Sequence, residues 1–368
     1  MKTIWFVFLL APFFISAQIN ISGVVAEAES GEPVLYATVY EDGTLNGTIT
    51  NAEGQFVLEN IHPPCKIVIS HISYETVVIA FEEGSDTMLH IRLTPKDVKV
   101  GEVEITDKNR REENLEHFKE RFLGTDYWGR HARIINDSVL VFKKVKNDSL
   151  ATAAGKLAPD RYSQQFIVET KGPLYVELPL LGYQLHIDLI EFVELQTDKE
   201  WLYEIHALGY YYFQLTENAS KRKTNRYRKK RLQAYYNSDR HFCRSLYQNT
   251  LKENGYFVYH VHTDPKTRER ENIEFDFDTC TTYADKLARV TGLEERSFNV
   301  GYYEMHNKPF SIKDGREGRP SSYSYVHFLN DTCIIREDGS RPDNSIMFGP
   351  VIGNKRVGAM LPHEFRTD

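Results

Sequence analysis

The chain has 368 residues, 41% of them apolar and 26% charged, with a formal net charge of −7. That length is enough for two or three domains, each able to bury a core. A mean hydropathy of −0.47 leaves most of the chain expecting water, and the acidic balance speaks against nucleic acid as a partner.

Met1-Lys2 gives a short positive start, Ile4 to Ile15 is an almost unbroken apolar run, and Ser16-Ala17-Gln18 is a small-residue cleavage site. This pattern predicts a signal peptide over residues 1–17, hence an exported protein. The run is too short for a spanning helix, which needs roughly 20 apolar residues. No later stretch approaches that length, and no series of alternating segments flanked by aromatic girdles marks a membrane barrel. Cys65, Cys243, Cys280 and Cys333 remain after cleavage. An oxidising compartment permits disulfides, three pairings stay open, and the absence of any Cys-x-x-Cys argues against structural zinc.

Residues 18–95 predict about seven short strands. Apolar alternation begins at Ile19, Ile21 and Val24-Val25 and resumes over Leu35 to Tyr40. Further strands follow at Thr48-Ile49-Thr50, Phe56-Val57-Leu58, Ile67-Val68-Ile69, Thr76 to Phe81 and Leu89 to Leu93. Gly31, Asp42-Gly43, Asn46-Gly47 and Gly54 punctuate them at turns. Short strands at regular spacing indicate a β-sandwich. Ile21-Ser22-Gly23-Val24-Val25, Gly31-Glu32-Pro33-Val34, Gly47-Thr48-Ile49-Thr50 through Gly54-Gln55-Phe56, and Ile67 to Tyr74 follow one another in order. The set is similar to the carboxypeptidase regulatory-like domain family, with Ser73 where the family usually has Gly. The resemblance implies a prealbumin-like sandwich of seven strands serving as an accessory module with no chemistry of its own.

Residues 96–124 predict a linker strand, Val98 to Ile105, and a helix, Asn109 to Leu123, whose Leu115, Phe118 and Phe122 form one apolar stripe. Residues 125–368 predict a β-rich α+β domain. Its strands include Leu174 to Leu195, broken by Pro179 and Gly182, and Trp201 to Leu215. Two short helices, Asn225 to Asn237 and Ser238 to Asn254, interrupt it, with Ser238 as a cap. Strands resume at Tyr256 to His262, Ala288 to Gly292, Phe298 to Met305, Ser324 to Leu329 and Thr332 to Arg336, and the tail from Asp338 reads as irregular. The fold class is therefore mainly β. Gly172 to Phe192 and Ala234 to Leu246 resemble uncharacterised Gram-negative envelope proteins that join such a domain to the same N-terminal sandwich. That resemblance implies the periplasm or the outer membrane and supplies no activity.

Several patterns invite chemistry. His117-Phe118-Lys119-Glu120 has the spacing of half a metallocarboxypeptidase zinc site, but a third ligand and a base are missing, so it reads as a solvated helix face. His260 and His262 share one side of a strand without a visible third ligand, and His363-Glu364 reads as a loop. Lys221, Arg222, Lys223, Arg226, Arg228, Lys229, Lys230 and Arg231 form a strongly basic run. It reads as a solvated face, with acidic polysaccharide or anionic lipid as the alternative contact. Tyr210, Tyr211 and Tyr212, with Tyr235-Tyr236 and Tyr302-Tyr303, read as sheet packing, with a stacking platform for sugars or a protein interface as the alternative. No nucleophile elbow, phosphate loop or dinucleotide fingerprint occurs, so no catalytic residue and no cofactor are expected. The reading that follows is a non-enzymatic binding or assembly protein of the envelope, with an envelope protein or polysaccharide as partner and membrane-surface association as a further option. The alternative is a peptide or glycan hydrolase whose site is assembled from scattered residues.

Overall fold

The computed structural model describes residues 19–96, 108–146, 162–197, 203–216, 220–263, 266, 268–284, 286–303, 321–341 and 345–367. The chain divides into two compact units, Met1–Asp42 with Asn46–Asp97, and Gly43–Leu45 with Val98–Asp368. The strand expected over Val98 to Ile105 lies outside the described residues.

The first unit holds β1 (Ile19–Glu27), β2 (Thr38–Glu41), β3 (Gly47–Ile49), β4 (Gln55–Ile61), β5 (Cys65–His71), β6 (Tyr74–Phe81) and β7 (Met88–Leu93). They form two sheets, β4-β1-β7 and β3-β2-β5-β6. The β1–β7 pair is parallel and the others are antiparallel. Alternating Ile21, Val25, Phe56, Leu58, Ile67 and Ile69 fill the core between the sheets. Gly54 has φ +70°, and a Cβ there would stand 2.4 Å from the Val25 carbonyl oxygen, so only glycine fits the turn. The alternation seen from Leu35 does not make a strand before Thr38. The buried Thr50 hydroxyl donates to the Val34 carbonyl at 2.6 Å and accepts from the Ala37 amide at 2.9 Å. This pins the segment as a loop, with Tyr36 at φ 62°.

The second unit begins with α1 (Lys108–Phe122). There follow β8 (Arg133–Ile134), β9 (Leu140–Lys146), β10 (Gln164–Thr170), β11 (Leu174–Leu178), β12 (Tyr183–Gln196) and β13 (Tyr203–Leu215). The long β12 pairs with β13 on one edge. Its other edge is shared by β11 along the first half and β10 along the second. Thr44, which belongs to this unit, bridges in parallel to Tyr212. A bulge at Ile190 interrupts the β12–β13 register. Before it, Tyr183, Leu185, Ile187 and Leu189 face the core; after it, Phe192 and Glu194 do. One extra residue has switched the parity of the strand. The helix placed in a linker by its sequence is instead part of this core. Phe118 and Phe122 stack on each other and set their edges against Phe192, because an apolar stripe of that width needs a sheet to cover it.

A second core lies further along the unit. Here α2 (Lys221–Tyr235) and α3 (Asp239–Tyr247) precede β14 (Tyr256–Thr263), β15 (Arg270–Glu274), β16 (Thr281–Ala284), β17 (Leu287–Thr291), β18 (Ser297–Tyr302), β19 (Ser322–Phe328), β20 (Thr332–Arg336) and β21 (Ile346–Phe348). The sheets β15-β14-β18-β19-β21 and β16-β17-β20 share one cluster that includes Val258, Phe298, Val326, Val290 and Ile335, joined by Phe242 and Leu246 of α3. Ser238 caps α3 by accepting from the His241 amide at 3.1 Å. That helix ends at Tyr247 rather than Asn254, where Asn249 turns to φ 53°. The other helix starts earlier than expected, at Lys221, because Ser220 caps it.

The tail is irregular but not loose. Val357, Ala359 and Leu361 enter the first core of this unit. Arg356 donates to the Arg121 carbonyl at the end of α1. Lys355 donates to the carbonyls of Ala234 at 3.1 Å and Tyr236 at the end of α2. These cations satisfy carbonyls that the helices leave open. Lys355→Ala is expected to lower the unfolding free energy by about 1–2 kcal/mol, read from the urea midpoint at unchanged m. Among the described residues no helix is long and apolar enough to cross a membrane.

Candidate functional site

The basic run lies on α2. Tyr227, Ala234 and Tyr235 are buried, so the apolar stripe of the helix is spent inside the protein. Lys221, Arg222, Lys223, Arg226, Arg228 and Lys229 are exposed. Arg222, Arg226 and Lys229, at i, i+4 and i+7, form a file about 10 Å long on the outward side. Among the described residues no carboxylate pairs with any of these six. Lys230 and Arg231 are used differently. Lys230 sits over the Tyr127 ring at 4.6 Å. Arg231 lies 4.0 Å over Tyr183 and donates from Nε to the Leu181 carbonyl at 2.8 Å. The first turn of α2 holds three cations and no acid. Cations there oppose the helix macrodipole, at about 0.3–1 kcal/mol each.

The tyrosine run does not form one platform. Strand alternation sends Tyr211 to the core side, while Tyr210 and Tyr212 take the other face opposite Asp188 and His186. Tyr235 is buried with Tyr302, while Tyr236 is exposed.

The solvated reading of His117 is corrected by its surroundings. Its Nε2 stands 2.5 Å from Oε2 of Glu194, which is 0% exposed, and its ring meets Phe166 edge-on. Arg121, one turn further along the same side of α1, donates from Nε to Glu194 Oε1 at 2.9 Å. Burial by itself works to raise the Glu194 carboxyl. The His117 hydrogen bond and charge, with Arg121, outweigh it and hold the group below the usual carboxylate range. Glu120 points to solvent. Among the described residues no three His, Cys, Asp or Glu side chains converge as a metal centre, His260 and His262 included. Glu194 escaped sequence reasoning because its partners are remote. The one available signal was a lone carboxylate in the apolar stretch Phe192-Val193-Glu194-Leu195.

Two further arginines were missed. Arg240, on α3, donates to the carbonyls of Asp338, Leu361, Pro362 and His363. Arg244 reaches Phe365, Asp338 and the Tyr235 hydroxyl. Burial and the neighbouring Arg244 bring Arg240 down to about 10. Their full set of carbonyl partners makes them clamps for the tail, including the His363-Glu364 segment.

Residues 21–105 match the CarboxypepD_reg-like domain family. The first unit is a carboxypeptidase regulatory-like domain. This regulatory-like domain accounts for less than a quarter of the chain. No curated protein matches the chain. Among solved structures, the chain is similar to a 9R-lipoxygenase from Cyanothece PCC8801 at 9% identity, over 62% of this chain and 48% of that one, with a TM-score of 0.19. The chain thus spans about half the length of that lipoxygenase. So loose a superposition carries no argument about fold or activity.

Proposed function

We propose that the chain is an exported, non-enzymatic binding or assembly protein of a Gram-negative envelope, resident in the periplasm or at the outer membrane. In this reading α2 holds an acidic polysaccharide, and the regulatory-like domain is an accessory docking module. The observation that carries the reading is the outward side of α2: six exposed cations that have no acidic partner among the described residues, three of them in the first turn, where the helix dipole makes them unfavourable. Charge kept against local stability is the signature of a binding surface. The face carries no exposed apolar side chain, so it lacks the anchor that an interfacial membrane helix pushes into the acyl boundary. Its attraction is electrostatic and is screened by salt.

Polygalacturonate is the probe. The mature chain is expected to bind it at low ionic strength and to lose affinity as salt rises. The triple variant Arg222→Glu, Arg226→Glu, Lys229→Glu should bind at least about tenfold more weakly. Equal binding by wild type and variant, or no binding by wild type, defeats the assignment to α2. Export is a separate question, answered by fractionation, in which intact chain retaining Met1 in the cytosol defeats it. The docking role is checked by deleting residues 18–95, which should abolish capture of envelope partners.

A further inference from the structure

The five-stranded sheet turns one face to the second core and the other outward. On β14, Tyr256 and Val258 point inward, so Phe257 and Tyr259 point outward. On β19 the outward residues are Tyr323 and Tyr325, exposed by 53% and 41%. The register aligns these aromatics in two rows across β18: Phe257, Gly301 and Tyr323 in one, Tyr259, Asn299 and Tyr325 in the next. Gly301 contributes no side chain at the centre of the first row and is itself buried, so two aromatic side chains start about 10 Å apart on either side of it.

The rings are also positioned. Phe257 and Tyr259 lie 5.4 Å apart at 31°, close to a continuous surface. Tyr325 lies across Gly349, where a Cβ would stand 2.3 Å from its ring, so glycine lets that ring lie along the sheet with one side toward solvent. The phenols of Tyr259, Tyr303 and Tyr323 gather together. After burial, the nearness of Tyr323 is what raises Tyr259, and Tyr323 with Tyr259 is what raises Tyr303. On β14, β18 and β19 neither row contains a charged residue; on β15 the second row continues to Glu274, whose carboxylate is already held by Lys252 at 2.6 Å.

Flat aromatic faces bordered by hydroxyls and one amide, set on either side of a glycine, match a particular chemistry. A pyranose offers an apolar C–H face to a ring and equatorial hydroxyls to neighbouring polar groups. A charged partner would meet only the Glu274–Lys252 pair, which already neutralises itself at the β15 end of the second row, and a purely apolar one would strand the phenols and Asn299. We infer that this face binds a neutral hexopyranose oligosaccharide, with sugar rings stacked on Phe257, Tyr259, Tyr323 and Tyr325. The site is independent of α2, whose cations select a charged polymer.

The test uses the mature full-length chain titrated calorimetrically with cellohexaose and with maltohexaose, a β- and an α-linked probe. At least one should bind with a Kd of about 1 mM or tighter. Phe257→Ala and Tyr323→Ala should each weaken it about fivefold or more. Tyr283→Ala, an exposed tyrosine on β16, should leave it unchanged, as should the α2 triple variant. Thermal midpoints of the two platform variants equal to wild type show that they remain folded; Tyr323 is exposed and Phe257 half-buried, so Tyr323→Ala is the variant that decides if Phe257→Ala melts early. Absence of binding by both probes overturns the inference. So does binding that survives both platform substitutions, and so does an equal loss in Tyr283→Ala.

Discussion

Glu194→Ala is expected to lower the free energy of unfolding by about 3–5 kcal/mol, the largest effect of any single change considered for this protein. The carboxylate is fully enclosed and holds Arg121 and His117 from below. Removing it takes from Arg121 and His117 the carboxylate they share, beside a packed cluster of Phe118, Phe166 and Phe192. Glu194→Gln keeps the volume and part of the hydrogen bonding and should cost less. The sign with pH follows from the depressed carboxyl. Stability from this group is fully present above the unfolded carboxylate value of about 4.3 and is lost as pH falls through the lower folded value. Denaturant titrations at pH 7 and pH 3.5 should therefore show the Ala variant closing its gap to wild type in acid. A gap that does not narrow refutes the ionic account of the site.

The second large effect comes from His241. Burial first, then Lys355 and Arg244, bring this imidazole down to about 3. Its Nδ1 accepts from the Tyr256 hydroxyl at 2.9 Å and the Asn237 amide at 3.2 Å, which requires the neutral ring. Tyr235, Tyr236 and Tyr302 close around it. In the unfolded chain the same side chain titrates near 6.5. Above that pH both states are neutral and the group has no effect. Below it the unfolded state takes up a proton that the native state refuses, so stability falls by up to about 1.4 kcal/mol per pH unit until the folded value is reached. At pH 4.5 the loss from His241 should be about 2–3 kcal/mol. His241→Gln should flatten the slope of unfolding free energy between pH 6.5 and 4.5, measured by urea titration. An unchanged slope shows that another group carries it.

How much of this was legible in advance depends on the range of the interaction. The sandwich strands were readable because alternation and turn glycines are local, and a glycine such as Gly54 is required by its own φ. The apolar stripe of α1 was equally plain, yet its assignment to a linker was wrong. A stripe says that a helix must be covered and not by what. The basic run and its helix were visible in the sequence, but only the fold separates six outward cations from Lys230 and Arg231, which lie on Tyr127 and Tyr183.

Local pattern, then, was enough for the strands, the caps and the regulatory-like domain, since each is decided by neighbours a few residues apart. The partners of Glu194 lie 77 and 73 positions away on another element, and a single bulge at Ile190 decides which way its side chain points. The aromatic rows of β14 and β19 are brought together across β18, which sets Gly301 between Phe257 and Tyr323. Such meetings are set by register and long-range packing, where a shift of one residue reverses every side chain, and no short window of sequence contains that information.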